Sequence, residues 1–358
     1  MKTRSLLLSL LAALLALALG TYLLRVPLGM AMLKRGAAQR LGANPTAGLP
    51  DGLYVALCGA GSPLPDPKRG APCAVVIAGK RMFMIDAGTA AARNLGRMNF
   101  NPGELEALFL THFHSDHIDG IGELQLQRWA GAAHHDPLPV YGPRGVELVV
   151  DGVNQAYAQD KQYRVAHHGA AVVPPEGAGV LARGFDTPPA NGRVVLIDEP
   201  DLQIVAFSVT HAPVHPSVGY RIRYKDRTVV FSGDTVKSAA VQREAEGVDL
   251  LVHEALAPQL VALIGEAAGA AGRPNLVKIF KDIPDYHTSP PQAAAVARDA
   301  QVGMLLLNHI VPALPSHALD AAFLGEAPSI YKGKLRIGED GDVVSLPAGS
   351  KTITIGTF

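Results

Sequence analysis

Apolar residues fall along this chain mostly in short unbroken runs, each closed by glycine or by a polar residue. "LYVALCGAG" (53–61), "CAVVIAG" (73–79) and "RMFMIDAG" (81–88) read as buried strands separated by glycine-rich turns. A fourth strand, within "ELEALFLTH" (104–112), ends on a histidine. "GVELVVDGVNQAYAQ" (145–159) instead spaces its apolar positions along one helix face. The stretch 166–192 is rich in glycine and proline with weak periodicity, and reads as a loop or a loosely structured insertion. Four more strands follow in "RVVLID" (193–198), "LQIVAFSVTH" (202–211), "VGYRIRY" (218–224) and "RTVVFSGD" (227–234). Helices at 237–246, between 258 and 282, and at 290–300 then alternate with strands "VDLLVHE" (248–254) and "VGMLLLNH" (302–309). This order predicts an α/β fold of sheets covered by helices on their outer faces.

The N-terminus departs from that pattern. Lys2 and Arg4 precede "SLLLSLLAALLALALG" (5–20), a basic region followed by an apolar one, as in a secretory signal. The run is also near the lower length for crossing a bilayer, and "TYLLRVPLGMAM" extends it. Residues 1–20 are therefore expected to be a signal peptide or membrane anchor, 21–50 a linker, and 51–358 one folded domain. That domain is expected to be exported, periplasmic or held at the membrane facing outward. Cys58 and Cys73 sit on neighbouring strands, where an oxidising compartment would permit a disulfide. The favoured expectation is two separate buried thiols. Two cysteines cannot build a thiolate cluster, so any metal must be held by histidine and carboxylate.

Composition narrows the class. With 48% hydrophobic and 18% charged residues the chain is globular. Lys+Arg and Asp+Glu balance at 32 each, without the basic excess that neutralising many phosphates requires. A nucleic-acid polymer is accordingly not expected as a partner.

The chemistry gathers at strand ends. His112, His211, Asp234, His253–Glu254 and His309 each close an apolar strand. "THFHSDHIDG" (111–120) adds His114, Asp116 and His117 within a few residues of His112. Imidazole nitrogen and carboxylate oxygen suit Zn²⁺ and similar ions. Four such groups so close together suit two ions better than one, with His211, Asp234 and His309 as the further ligands. Only a carboxylate can bridge with two oxygens, so Asp234 is the natural bridge.

At these residues the sequence resembles the metallo-β-lactamase superfamily, whose fold is a four-layer αββα sandwich with a binuclear metal site. "THFHSDH" matches its H-x-H-x-D-H motif, "THAPVHPSVGYRI" its third-motif histidine, "FSGDT" its bridging aspartate and "LLLNH" its last histidine. "IDAG" (85–88) matches the aspartate supporting the motif loop, here Asp86. The resemblance implies one ion on His112, His114 and His211, and another on Asp116, His117 and His309, with Asp234 between them. It implies two Zn²⁺, with Mn²⁺ or Fe²⁺ as alternatives in one site.

Three features resemble the ribonuclease Z-like branch: "GAGSPLPDPKRG" (59–70), "VHEA" (252–255) and "YHTSPPQAAAVARDAQVGMLLLNH" (286–309), while "PLPVYGPRGVELVVDGVNQAYAQDKQYR" (137–164) resembles the corresponding segment of its exported arylsulfatase-like members. The resemblance implies that Glu254 holds His287, which assists at the reacting oxygen, while Asp116 orients the attacking water. Branch members that process tRNA insert a gripping arm between the third-motif histidine and the bridging aspartate. Only 22 residues separate His211 from Asp234 here. With the neutral charge and the signal-like N-terminus, this leads to an exported hydrolase of a small sulfate ester or phosphodiester as the expected function. A lactonase or carboxylic-ester hydrolase is the alternative, and an iron oxidoreductase or a tRNA 3′ processing nuclease stands further back. A small-molecule ester is the expected partner, and a homodimer is allowed. His134, His135, His167, His168, Trp129 and Tyr157 are weaker candidates for a substrate pocket.

Overall fold

The computed structural model describes residues 2–41 and 45–357, and the chain divides into two compact units, Met1–Asn44 and Pro45–Phe358. The first unit is a helix, α1 (Lys2–Leu41), of 40 residues. The segment 21–41, expected to be linker, is helical: Leu, Met, Ala and Arg favour that state, and Pro27 is accommodated inside it. Leu10, Leu17 and Leu23 are more than half exposed.

The second unit holds two sheets. β1 (Gly52–Gly59), β2 (Cys73–Ala78), β3 (Arg81–Ile85), β4 (Leu105–Phe109), β5 (Leu138–Pro143) and β6 (Val180–Phe185) follow one another across the first. Helices α2 (Ala91–Arg97), α3 (Ser115–Ile118), α4 (Ile121–Ala132), α5 (Val146–Ala156) and α6 (Ala158–His168) connect them. The second sheet contains β7 (Arg193–Asp198), β8 (Leu202–Ser208), β9 (Val218–Tyr224), β10 (Arg227–Phe231), β11 (Leu250–Leu256), β12 (Met304–Val311) and β13 (Lys334–Ile337). Its helices are α7 (Ala239–Glu244), α8 (Pro258–Ala270), α9 (Pro274–Asp282), α10 (Pro290–Asp299), α11 (Asp320–Leu324) and α12 (Ala327–Ile330). The chain then returns to the first sheet with β14 (Asp342–Pro347) and β15 (Thr354–Thr357).

Strand alternation builds the layers. In β1, Leu53, Val55 and Leu57 enter a core shared with Ile204, Tyr220 and Leu306 of the facing sheet. Tyr54, Ala56 and Cys58 point the other way, into a core with Leu95 of α2, Leu124 of α4 and Val150 of α5. The second sheet turns Val230, Leu251 and Leu305 outward onto Val241 of α7, Val296 of α10 and Phe323 of α11. The result is helix, sheet, sheet, helix: the αββα sandwich.

Two expectations change. The stretch 166–192 contains β6, paired in parallel with β5 from Leu138↔Val180 to Pro143↔Phe185. Its alternation is masked by Arg183 and Gly184 at an exposed sheet edge. Cys58 and Cys73, favoured as separate thiols, form a disulfide. The β1–β2 pairing shifts register between Leu57 and Gly59 and brings the two Cα atoms to 5.0 Å, within bonding range. Gly59 is required beside it, because a Cβ there would lie 1.8 Å from the Ala71 carbonyl oxygen.

Parallel pairing positions the site. β3 and β4 run parallel in one sheet, and β10, β11 and β12 in the other. Asp86, His112, Asp234, Glu254 and His309 lie at or just beyond the C-terminal ends of these strands. Rigid neighbouring strand ends hold side chains to fixed positions better than free loops do.

Candidate metal centre

Two sets of side chains converge between the sheets, the potential ligand atoms of each lying within 4.8 Å of one another. The first is His112, His114, His211 and Asp234; the second is Asp116, His117 and His309. His112 and His114 leave β4 on extended backbone, and α3 begins at once, carrying Asp116 and His117. His112 Nε2 is 3.0 Å and His211 Nε2 3.4 Å from His114 Nδ1. Asp116 Oδ2 is 3.3 Å from His309 Nε2 and 3.5 Å from His117 Nε2.

Asp234 lies between the sets. Its Oδ2 is 3.2 Å from His309 Nε2, 3.5 Å from His117 Nε2, 3.8 Å from His112 Nε2 and 3.9 Å from His211 Nε2. Among the described residues no other carboxylate lies against histidines of both sets.

Supporting contacts fix which nitrogen each histidine presents. Asp86 accepts from the Thr111 backbone N–H at 2.8 Å and the Thr111 hydroxyl at 2.9 Å, and pairs with His117 Nδ1 at 2.8 Å. His117 Nε2 is left buried without a hydrogen-bond partner, aimed between Asp116 and Asp234. Asp86 takes a left-handed backbone, φ 55°, and Gly88 beside it allows Asp116 close, since a Cβ there would meet the Asp116 carbonyl at 2.1 Å. His211 Nδ1 donates to the Tyr286 carbonyl at 2.9 Å, turning Nε2 inward. His309 is the unpaired residue where β12 slips against β11, Glu254 facing Asn308 and Ala255 facing Ile310; its φ is 47°.

Charge in the cluster favours cations. Burial holds the His112 imidazole well below its usual range and lowers His114 and His211, so these three are neutral, as a metal requires. Although burial opposes it, His309, His117 and His112 hold the Asp234 carboxyl well below the carboxylate range. Burial also opposes ionisation of His309, yet Asp234 and Asp116 lift it to about 9, and His117 is raised by the same carboxylates and Asp86. Buried carboxylates that must hold protons on neighbouring imidazoles are a donor set lacking positive charge. Two divalent ions fit it.

Glu254 and His287 complete the centre. Glu254 Oε1 accepts from Thr235 N–H at 3.2 Å, Thr288 N–H at 2.9 Å and His287 Nδ1 at 3.1 Å. His287 also lies within ligand range of Asp234 and His309. A cleft of about 260 Å³ opens here, with His114, Asp116, Asp234, His287 and His309 on its floor and Leu64, Ile279, Ile283, Tyr286 and Val311 on its walls.

The weaker candidates stand apart. His134 bonds the Gly103 carbonyl, His135 pairs with Glu176, and His167 and His168 are exposed at the end of α6. Trp129 is buried and donates to the Pro174 carbonyl; Tyr157 packs over Gly122. Sequence reading missed Thr111, Thr235, Thr288 and the Tyr286 carbonyl. Each adjoins a motif residue or lies one position from it, and that adjacency is the signal it offered.

Residues 67–288 match the metallo-beta-lactamase superfamily. A ribonuclease Z of Mycobacterium avium (strain 104) is 34% identical over 300 residues, covering 83% of this chain and all of that protein. Among solved structures, the metallo-beta-lactamase fold protein YhfI of Bacillus subtilis superposes with TM-score 0.58 at 21% identity, covering 82% of this chain and 100% of that one. The short form of human tRNase Z gives 0.57 at 22%, covering 82% and 99%.

The ribonuclease relatives overturn two expectations: a small sulfate ester or phosphodiester as the substrate, and a chain with no nucleic-acid polymer among its partners. Net charge averaged over 358 residues does not report the field inside one cleft. The short His211–Asp234 interval bears on one gripping element and leaves the reacting centre untouched.

Proposed function

Because the chain belongs to the metallo-beta-lactamase superfamily, in its ribonuclease Z-like branch, we propose that it hydrolyses a phosphodiester bond near the 3′ end of an RNA. His112, His114 and His211 would hold one divalent ion, zinc in the first instance, and Asp116, His117 and His309 the other, with Asp234 between. Such a pair, when bound, supplies Lewis acidity to the phosphate and lowers the pKa of a water.

The chain's own groups do the rest. Asp116, on the cleft floor, accepts a proton from the attacking water and orients it. Glu254 accepts from His287 Nδ1 and orients the ring, so that His287, entering the step as the imidazolium, gives its Nε2 proton to the leaving oxygen and is left neutral, still donating from Nδ1 to Glu254. Apolar Leu64, Ile279 and Ile283 limit water around the reacting phosphate. The observation that carries this reading is the 3.1 Å Glu254–His287 contact within ligand range of Asp234 and His309.

The test is cleavage of a 3′-extended tRNA by the metal-loaded protein. One cut is expected, leaving a 3′-hydroxyl on the tRNA and a 5′-phosphate on the trailer. Uncut RNA under conditions where the loaded enzyme hydrolyses bis-p-nitrophenyl phosphate would sink the assignment to RNA.

We also propose that α1 anchors the protein in a bilayer. Its apolar span Leu6–Leu41 is long enough to cross one, and no acidic residue precedes Asp51. The Cys58–Cys73 disulfide supports a catalytic unit on the oxidising side.

A further inference from the structure

The segment between Cys58 and Cys73 lacks regular structure beyond Gly59, yet it walls both cavities beside Asp116. Ser62 and Leu64 border the cleft described above. Ser62 to Ala71 form one flank of a second cavity, about 390 Å³, which reaches Ser115 and Asp116 from the other side. A wall of irregular backbone needs something to hold it, because each free residue gains on the order of 1–2 kcal/mol of conformational entropy when released.

One carboxylate holds both ends. Asp340, in the turn between β13 and β14, accepts from the Ala60 N–H at 2.9 Å through Oδ1. Its Oδ2 accepts from the Gly70 N–H at 2.7 Å and from Asn94 Nδ2 at 2.8 Å. Asn94 Nδ2 also reaches the Cys58 carbonyl at 2.6 Å, and the Gly61 N–H closes the neck on the Gly70 carbonyl at 2.8 Å. The Ala60 carbonyl accepts from the Ile310 N–H at 2.9 Å, the residue after His309. The wall is thus held in register with the metal centre from a residue 280 positions away from Ala60.

We propose that Asp340 is a positioning residue that sets the segment 60–70 as the substrate-facing wall beside Asp116. It acts through backbone N–H groups and does not touch the reacting atoms. The charged groups around it are Arg69, Asp66, Glu339 and Arg97; Arg69 is committed to Asp66, Glu339 and the Gly338 carbonyl. A carboxylate kept in this partly buried place costs stability, as its carboxyl raised to about 6 indicates, so its removal need not loosen the fold as a whole. The kinetic part of the inference rests on the RNA reading, since the wall would meet substrate beyond the scissile bond.

The test compares the full chain with Asp340→Asn and Asp340→Ala. In Asp340→Ala, trypsin is expected to cut after Lys68 or Arg69 at least tenfold faster. KM for a 3′-extended tRNA should rise fivefold or more, with kcat within twofold of wild type. Asp340→Asn, which keeps one acceptor oxygen, should fall between the two, with Tm no lower than wild type. Wild-type cutting rates in both variants overturn the proposal. So does a loss of kcat and Tm with KM unchanged, which would mark a structural residue. If the wild-type enzyme cleaves no RNA, the functional reading fails by itself, and the tryptic rate still decides the role of Asp340.

Discussion

Glu254 and His287 meet at 3.1 Å although they are 33 positions apart in the chain, with α8 and α9 between them. The contact leaves one imidazole nitrogen committed to the carboxylate and the other free for substrate. His287→Ala is expected to lower kcat on RNA by roughly 10²–10⁴-fold, the usual range for a lost general acid. Glu254→Gln should cost about 10–100-fold, since the ring is then misoriented but present. Bis-p-nitrophenyl phosphate, whose leaving group needs no proton, should be the less affected substrate in both variants. Equal losses on the two substrates would assign His287 to binding.

Asp234 faces both histidine sets, so its loss should cost both ions. Metal analysis after desalting should find two ions per wild-type chain and fewer than one in Asp234→Ala, whereas His211→Ala should retain the ion on the Asp116 side. Two ions in Asp234→Ala would remove it from the bridging position.

Asp86 reaches the centre only through Thr111 and His117. Asp86→Asn can still accept at one oxygen but puts an amide against a group that must also donate. Metal affinity should fall by about 10–100-fold, as for other residues that orient ligands. Titration with a competing chelator reads this directly; an unchanged affinity would mean that Thr111 and packing suffice.

Burial raises the Asp340 carboxyl from 3.8 to about 6. The folded chain therefore holds this proton more tightly than the unfolded one. The stability it contributes is complete below about pH 3.8 and is lost as pH rises through about 6. Asn cannot lose the proton, so between about pH 4 and pH 7 stability should shift in favour of Asp340→Asn, by at most on the order of 3 kcal/mol. Urea unfolding of both chains at the two pH values measures the shift; a difference constant across that range would show ordinary ionisation of Asp340.

Residues 1–44 and 45–358 are separate compact units, the second with its own cores. The full chain should pellet with membranes and resist carbonate extraction, and a chain starting at Pro45 should be soluble and retain activity. Maleimide should label Cys58 and Cys73 only after reduction. A mature protein beginning near residue 21 would identify the N-terminus as a cleaved signal.

Much of the site can be read from the chain because its parts are short-range or mark strand ends. His112 to His117 lie within six residues of one another, and His211, Asp234 and His309 follow apolar strands that define themselves. β6 escapes notice because its edge position permits Arg183 and Gly184 where a central strand would carry apolar residues. The disulfide depends on a one-residue register shift between β1 and β2, and spacing alone does not encode that. Asp340 is similarly hidden, since nothing local ties it to Ala60. The substrate class is hidden for another reason: whole-chain charge and the length of one interval report on neither the cleft nor the reacting centre, and the relatives similar to this chain are ribonucleases.

His309 sits at the slip between β11 and β12 with a backbone that a glycine would adopt freely. An ordinary side chain held there costs about 1–3 kcal/mol. His309→Gly should therefore give a protein that withstands more urea when stripped of metal, yet is inert. Stability and reactivity thus pull against each other at this one bend: the same backbone that presents the imidazole would be easier to hold without it.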